Sequence, residues 1–126
     1  MNVTEQVAQE LKTESHALVG FDIMTIMTLI QGLITLFQAC KKTDAGPTPS
    51  DGQSAKEFLD EQYDGNEYSP FLVSRAAART YRTARRKGHK MTHQEARDAT
   101  VAMFDKCRQG DDATVGSVFA ENPESV

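Results

Sequence analysis

The chain has 126 residues, of which 39% are hydrophobic and 25% are charged, and its formal net charge at pH 7 is −4. These values are typical of a soluble globular protein with one compact domain, or one domain and an appendage. Cys40 and Cys107 fit no metal or redox spacing, and the N-terminus lacks the basic and apolar stretches of a secretory signal. We therefore expect an intracellular, cytoplasmic setting or a place within an assembled particle, without export by a signal peptide.

Two amphipathic helices are predicted at the N-terminus. Over residues 3–18 the apolar positions recur at spacings of four and seven, which indicates one buried helical face. This face contains Val3, Val7, Leu11 and Leu18. Gly20 is expected to break the helix, and Asp22 can cap the one that follows.

Residues 23–40 are the most apolar part of the chain. Their length is near the lower limit for a membrane span. However, polar residues recur every three or four positions and form one stripe: Thr25, Thr28, Gln31, Thr35 and Gln38. The pattern predicts a buried helix with a wide apolar face, and a helix lying on or crossing a membrane is the alternative.

Residues 1–42 are too few to form a stable domain alone, so they either pack back on the rest of the chain or associate with copies of themselves or a protein partner. The apolar face is wider than one short neighbouring helix would cover, which favours packing in an oligomeric bundle. The residues expected at that oligomerisation interface are Ile26, Ile30, Leu33, Ile34 and Phe37. A linker rich in Pro and Gly is predicted at 43–52. It separates an N-terminal helical hairpin at 1–42 from a C-terminal helical domain at 53–121, and a flexible tail follows at 122–126.

The C-terminal domain is predicted to be helical, because no convincing alternation typical of strands appears. The expected elements are a short acidic helix from Ser54 to about Tyr63 with an Asp64–Gly65 turn, a helix from Pro70 to Lys87 with Ser69 and Gly88 as caps, a helix from His93 to about Gln109, and a last short helix at 113–121. Thr92 and Glu95 have the spacing of a capping box. The predicted fold class is therefore all-α, a cluster of four to five helices.

Charge is distributed in blocks along the chain. Residues 43–68 carry seven acids and one lysine, whereas residues 69–90 carry seven Lys and Arg and no acid. On a helix, four of these arginines fall within about 60° of one another: Arg75, Arg79, Arg82 and Arg86. Like charges at this spacing repel, so we expect an anionic group to compensate them.

Two sources of that negative charge are open. Acids at 57–67 and in the following helix could neutralise the arginines within the chain, or the stripe could bind a polyanion or an acidic protein partner. The residues expected at such a binding surface are Arg75, Arg79, Arg82, Arg85, Arg86, Lys87 and Lys90. The helix after the stripe carries as many acids as bases, which predicts phosphate contact without base readout.

No catalytic signature appears, and no cofactor, metal site or small-molecule substrate is expected. His89 and His93 are predicted in a loop and in a first helical turn, which matches no closed set of metal ligands. We expect a non-enzymatic structural or assembly protein, such as a virion component, although no motif supports that setting. The alternatives are an accessory protein that binds nucleic acid through residues 75–90, and a peripheral membrane protein.

Overall fold

The computed structural model describes residues 3–40 and 55–109, and these residues confirm the predicted all-α class. Its helices are α1 (Val3–Glu14), α2 (Ile23–Cys40), α3 (Ala55–Gln62), α4 (Pro70–Arg86) and α5 (His93–Gln109), with a 3₁₀ turn at His16–Leu18 and a hairpin of β1 (Tyr63–Asp64) and β2 (Glu67–Tyr68). The predicted linker at 43–52, the last helix at 113–121 and the tail at 122–126 lie outside the described residues.

The first helix ends at Glu14, four residues before the predicted end. After it the backbone tightens into the 3₁₀ turn, which still buries Leu18 as the apolar pattern predicts. Lys12 holds this segment in place because its ammonium group donates hydrogen bonds to the carbonyl oxygens of Val19 and Phe21. A long-range contact of this kind leaves no periodic signal in the sequence, so the pattern alone could not place the end of α1.

The apolar face of α2 packs inside the same chain, against α1 and α4. Ile26 and Ile30 are 0% exposed and Leu33 is 1% exposed. Three of the residues expected at an oligomer interface are therefore buried without a second copy. The prediction of self-association assumed that these residues would be exposed in a single chain, and they are not. The side chains of Ile34 and Phe37 lie outside the described residues.

Helices from both sides of the predicted linker contribute to one hydrophobic core. The contact between α2 and α4 joins the N-terminal segment to the C-terminal one. Within residues 3–40 and 55–109, no helix is both long enough and apolar enough to cross a membrane.

A short hairpin follows α3, although no strand pattern is visible in the sequence. Tyr63 pairs with Tyr68 and Asp64 pairs with Glu67 in an antiparallel register. The turn residues Gly65 and Asn66 have φ values of 60° and 72°, and a two-residue hairpin turn of this type requires a positive φ at both positions. Strands of two residues are too short to display an alternation, which explains why only the turn was predicted.

The ends of α4 and α5 follow the predicted capping signals closely. Pro70 opens α4 after Ser69, although the Ser69 side chain makes no capping hydrogen bond. At the other end Gly88 has a φ of 84°, and the N–H groups of Gly88 and His89 donate to the carbonyls of Arg85 and Ala84. This is the paired hydrogen-bond pattern of a Schellman motif, and it ends α4 at Arg86.

The predicted capping box at the start of α5 is present with both of its hydrogen bonds. The Thr92 hydroxyl accepts from the Glu95 N–H at 3.0 Å, and the Glu95 carboxylate accepts from the Thr92 N–H at 2.8 Å. With its start fixed in this way, α5 spans His93–Gln109 as predicted and packs along α4. Because α4 also contacts α2, it lies between two helices, and only its outer side is left for charged side chains.

Candidate polyanion interface

The arginine stripe lies along the outer side of α4. Arg75 and Arg79 are partly buried, whereas the other five cations of the predicted surface are exposed: Arg82, Arg85, Arg86, Lys87 and Lys90. The opposite side of α4 is buried as predicted, with Val73, Ala77, Thr80 and Ala84 in the core. The structure therefore places the five arginines on α4, whose opposite side packs in the core, and places Lys87 and Lys90 in the turn that follows the helix.

Arg79 forms the edge of the stripe nearest α2. A Cβ atom placed on Gly32 of α2 would lie 3.6 Å from Arg79 Nε and 4.0 Å from its Cδ, so the Arg79 side chain passes over this glycine. Its Nε atom is buried and has no hydrogen-bond partner among the described residues. A buried donor without a partner is unfavourable, and no carboxylate of residues 3–40 and 55–109 forms an ion pair with this side chain.

At the C-terminal end of α4 the cations have an ordinary structural role as well. Arg85 and Arg86 lie in the last turn, where positive charge complements the helix dipole. Arg85 also donates to the Tyr81 hydroxyl at 2.8 Å, and Arg86 lies 3.4 Å from the Thr83 hydroxyl. The dipole does not account for Arg75, Arg79 and Arg82, which lie further back along the helix.

A pocket of about 350 Å³ opens where α4 turns into α5, and its lining residues are Arg85, Gly88, His89, Lys90 and Met91. The His89 ring is fixed in this turn because it stacks on Phe21, with ring centroids 4.2 Å apart. Its Nε2 atom lies 3.4 Å from Asp22 Oδ1 at the start of α2. The turn thus contacts the N-terminal segment through His89. Arg85 and Lys90 line the same concave surface.

Four of the acids that could have neutralised the stripe contact other residues. Asp60 pairs with Arg108 at 2.8 Å, and Asp105 accepts a hydrogen bond from the Tyr68 hydroxyl at 2.6 Å. Glu95 is used by the capping box, and Asp98 accepts from Gln94 at 3.0 Å.

Four arginines of the surface lack an ion pair within residues 3–40 and 55–109. Among the described residues, no carboxylate forms an ion pair with Arg79, Arg82, Arg85 or Arg86. Arg82, Arg85 and Arg86 are also exposed, so solvent can reach their charged groups.

Comparison of the chain with protein-family models, curated proteins and solved structures finds no match. The fold class alone does not indicate a function, since helical clusters of this kind serve many purposes. Function must therefore be inferred from the chemistry of the side chains on the surface.

One feature of this surface was not predicted from the sequence. The His93 ring, at the first position of α5, stacks on the Tyr81 ring of α4 with centroids 4.2 Å apart and an interplanar angle of 20°. The contact of Tyr81 with Arg85 has helical i, i+4 spacing and could have been expected. The contact of Tyr81 with His93 depends on the conformation of the turn between α4 and α5, so no regular spacing in the sequence predicts it.

His89 and His93 pack against different aromatic rings. His89 stacks on Phe21 and His93 on Tyr81. Within the part of the chain that the structure describes, no group of three or more His, Cys, Asp or Glu side chains is placed to hold a metal ion. The side chains of Cys40 and Cys107 lie outside that part.

Proposed function

We propose that this protein is a non-enzymatic nucleic-acid-binding protein, and that the outer side of α4 contacts phosphates. The observation that carries the proposal is the lack of an ion pair between Arg79, Arg82, Arg85 or Arg86 and any carboxylate of the described residues. Like charges along one helix side repel, and an external polyanion would relieve that repulsion.

The side-chain chemistry favours phosphate as the anionic group. Five of the seven cations at 69–90 are arginines, whose planar guanidinium groups can bind two phosphate oxygens at once. The protein as a whole is acidic, at a net charge of −4, so attraction of a polyanion requires a local concentration of positive charge such as this surface.

The contacts proposed here position the nucleic acid but do not read its sequence. The stripe lies along one side of α4, and its residue types are those that bind phosphate groups. The acids of α5 would repel the phosphates of a duplex if this helix entered a DNA groove. This argues against α5 as a helix that recognises bases. We therefore expect weak dependence on base sequence and strong dependence on salt.

The test is the salt dependence of binding to a fluorescein-labelled, mixed-sequence oligonucleotide, followed by anisotropy in single-stranded and duplex form. The logarithm of the binding constant should fall linearly with the logarithm of salt concentration. Replacing Arg82 by Ala should weaken binding and reduce the steepness of that line by about 1, because one phosphate contact is lost. Arg86→Ala should have the same effect.

Arg97→Ala is the matched control, because Arg97 is an exposed arginine on α5, outside the stripe. It removes the same charge and should change the salt dependence less than Arg82→Ala does. The proposal fails if neither form of the oligonucleotide binds at low salt. It also fails if Arg97→Ala and Arg82→Ala weaken binding equally, since the charge would then act without regard to its position.

A further inference from the structure

We infer that the surface of α4 selects single-stranded nucleic acid, with a base stacked on the outer face of the His93 ring. This inference rests on the function proposed above and specifies the class of ligand. It is carried by the contacts of Arg85, Tyr81 and His93, which join an aromatic stack to the cationic pocket.

The aromatic part of the site is already assembled in the protein. Tyr81 is partly buried and packs against the core, and His93 lies nearly parallel to it at a centroid distance of 4.2 Å. His93 itself is exposed, and Tyr81 is the only ring found stacked on it among the described residues. A flat ring backed by a second ring presents a ready surface for another aromatic group.

Arg85 links this stack to the pocket at the end of α4. One of its terminal nitrogens donates to the Tyr81 hydroxyl at 2.8 Å, and its guanidinium carbon lies 5.5 Å from the centre of the Tyr81 ring. The same side chain lines the pocket of about 350 Å³ together with His89 and Lys90. Arg85 therefore belongs both to the cationic pocket and to the surroundings of the Tyr81 ring on which His93 stacks.

This combination matches one nucleotide unit, in which a phosphate and a planar base are joined by a sugar. The pocket offers cations for the phosphate, and the His93 ring offers a face for the base. In a duplex both faces of an internal base are covered by its neighbours, so only an unpaired base can stack on a side chain. Base stacking on an aromatic residue combined with a positively charged groove is the usual mode of single-strand binding.

The test compares a 12-nucleotide mixed-sequence single strand with the duplex of the same sequence at one low salt concentration. The single strand should bind more tightly, and His93→Ala should weaken its binding by about fivefold or more, in keeping with the loss of one stacked base. Binding of the duplex should change by less than about twofold. The capping box at the start of α5 does not use the His93 side chain, so this variant should keep its fold.

Two further variants separate stacking from other effects. His93→Phe keeps an aromatic ring at this position and should retain most of the single-strand affinity. His16→Ala removes an exposed histidine from the 3₁₀ turn and should leave affinity unchanged. An oligonucleotide carrying 2-aminopurine should lose fluorescence on binding to the parent and to His93→Phe, and less on binding to His93→Ala.

The outcomes distinguish this inference from the proposed function. If single strand and duplex bind equally and His93→Ala behaves as the parent does, the stacking site is disproved while phosphate binding by α4 stands. A single-strand preference that His93→Ala leaves intact would also disprove it, because the base would stack elsewhere. If neither nucleic acid binds, both proposals are overturned.

Discussion

The Thr100 hydroxyl of α5 donates a hydrogen bond to the Thr80 hydroxyl of α4 at 3.2 Å, in the buried interface between the two helices. Thr80 is 2% exposed and Thr100 is 0% exposed, so neither hydroxyl has free access to water. The buried residues of these two helices include five alanines, whose small side chains allow close helix packing: Ala76, Ala77, Ala84, Ala96 and Ala99. This bond joins the same two helices that carry the stacked rings of Tyr81 and His93.

A double-mutant cycle on this pair should show strong coupling. Thr100→Val keeps the shape of the side chain but leaves the Thr80 hydroxyl buried without this partner, and it should lower the free energy of unfolding by about 1–3 kcal/mol. Adding Thr80→Val removes the second hydroxyl as well, so the double variant should be less destabilised than the sum of the single variants. Urea unfolding of the four proteins measures the coupling. Simple additivity would mean that the two hydroxyls do not depend on each other.

Two glycine substitutions should have opposite effects on stability. At Gly32 a Cβ atom would make only ordinary contacts, the nearest at 3.6 Å, so Gly32→Ala should stabilise the protein by about 0.5–1 kcal/mol through better helix propensity. At Gly88 the φ of 84° disfavours any side chain, so Gly88→Ala should destabilise it by about 1–2 kcal/mol. Thermal unfolding of both variants checks these signs. If Gly32→Ala destabilises the protein, the Arg79 side chain lies closer to the Cβ position of residue 32 than 3.6 Å.

Stability should fall in acid because two capping carboxylates lose their charge. The Thr25 hydroxyl donates to Asp22 and lowers its pKa below the ordinary value of 3.8, and the Thr92 N–H lowers the pKa of Glu95 below 4.5. A pKa that is lower in the folded state means that the unfolded state binds more protons as the pH falls. These contributions are therefore present above the ordinary pKa values and are lost as the pH falls through the lowered ones.

The urea midpoint should accordingly decrease between about pH 5 and about pH 3. The variant that combines Asp22→Asn with Glu95→Gln should show a smaller decrease, because Asn and Gln can cap helices without titrating. If the parent and this variant lose stability equally over that range, other carboxylates are responsible for the acid sensitivity.

Leu33 should behave as a core residue of the single chain. Leu33→Ala should lower the free energy of unfolding by about 2–5 kcal/mol, because the side chain is 1% exposed. Met24→Ala on the same helix should change it by less than about 0.5 kcal/mol, since Met24 is 69% exposed. Light scattering on both variants tests the self-association hypothesis. If Leu33→Ala lowers the mass in solution without lowering stability, Leu33 lies at an interface between copies.

Local signals in the sequence predicted where α4 ends and where α5 begins. The capping box of Thr92 and Glu95 and the glycine at position 88 placed the ends of α4 and α5 to within one residue. These features depend on hydrogen bonds between residues three to five positions apart. Such contacts repeat wherever the same residues occur, and for that reason they can be recognised without a structure.

The candidate site was predicted only in part, because its remaining contacts join distant segments. The spacing of the arginines on α4 placed them on one side of a helix. The sequence could not indicate that Gly32 of α2 accommodates Arg79, or that Tyr81 supports His93. It also left open whether nearby acids neutralise the stripe. That question depends on which carboxylates are already used, such as Asp60 by Arg108.

If α4 binds nucleic acid as proposed, the length of its arginine stripe would limit how many nucleotides one molecule contacts. From Arg75 to Arg86 the helix rises about 16 Å, at about 1.5 Å per residue. A strand with about 3.4 Å between successive nucleotides would pass about five of them over this distance. The footprint of one molecule would thus be short, and a longer oligonucleotide would gain apparent affinity from the number of overlapping registers it offers and not from further contacts.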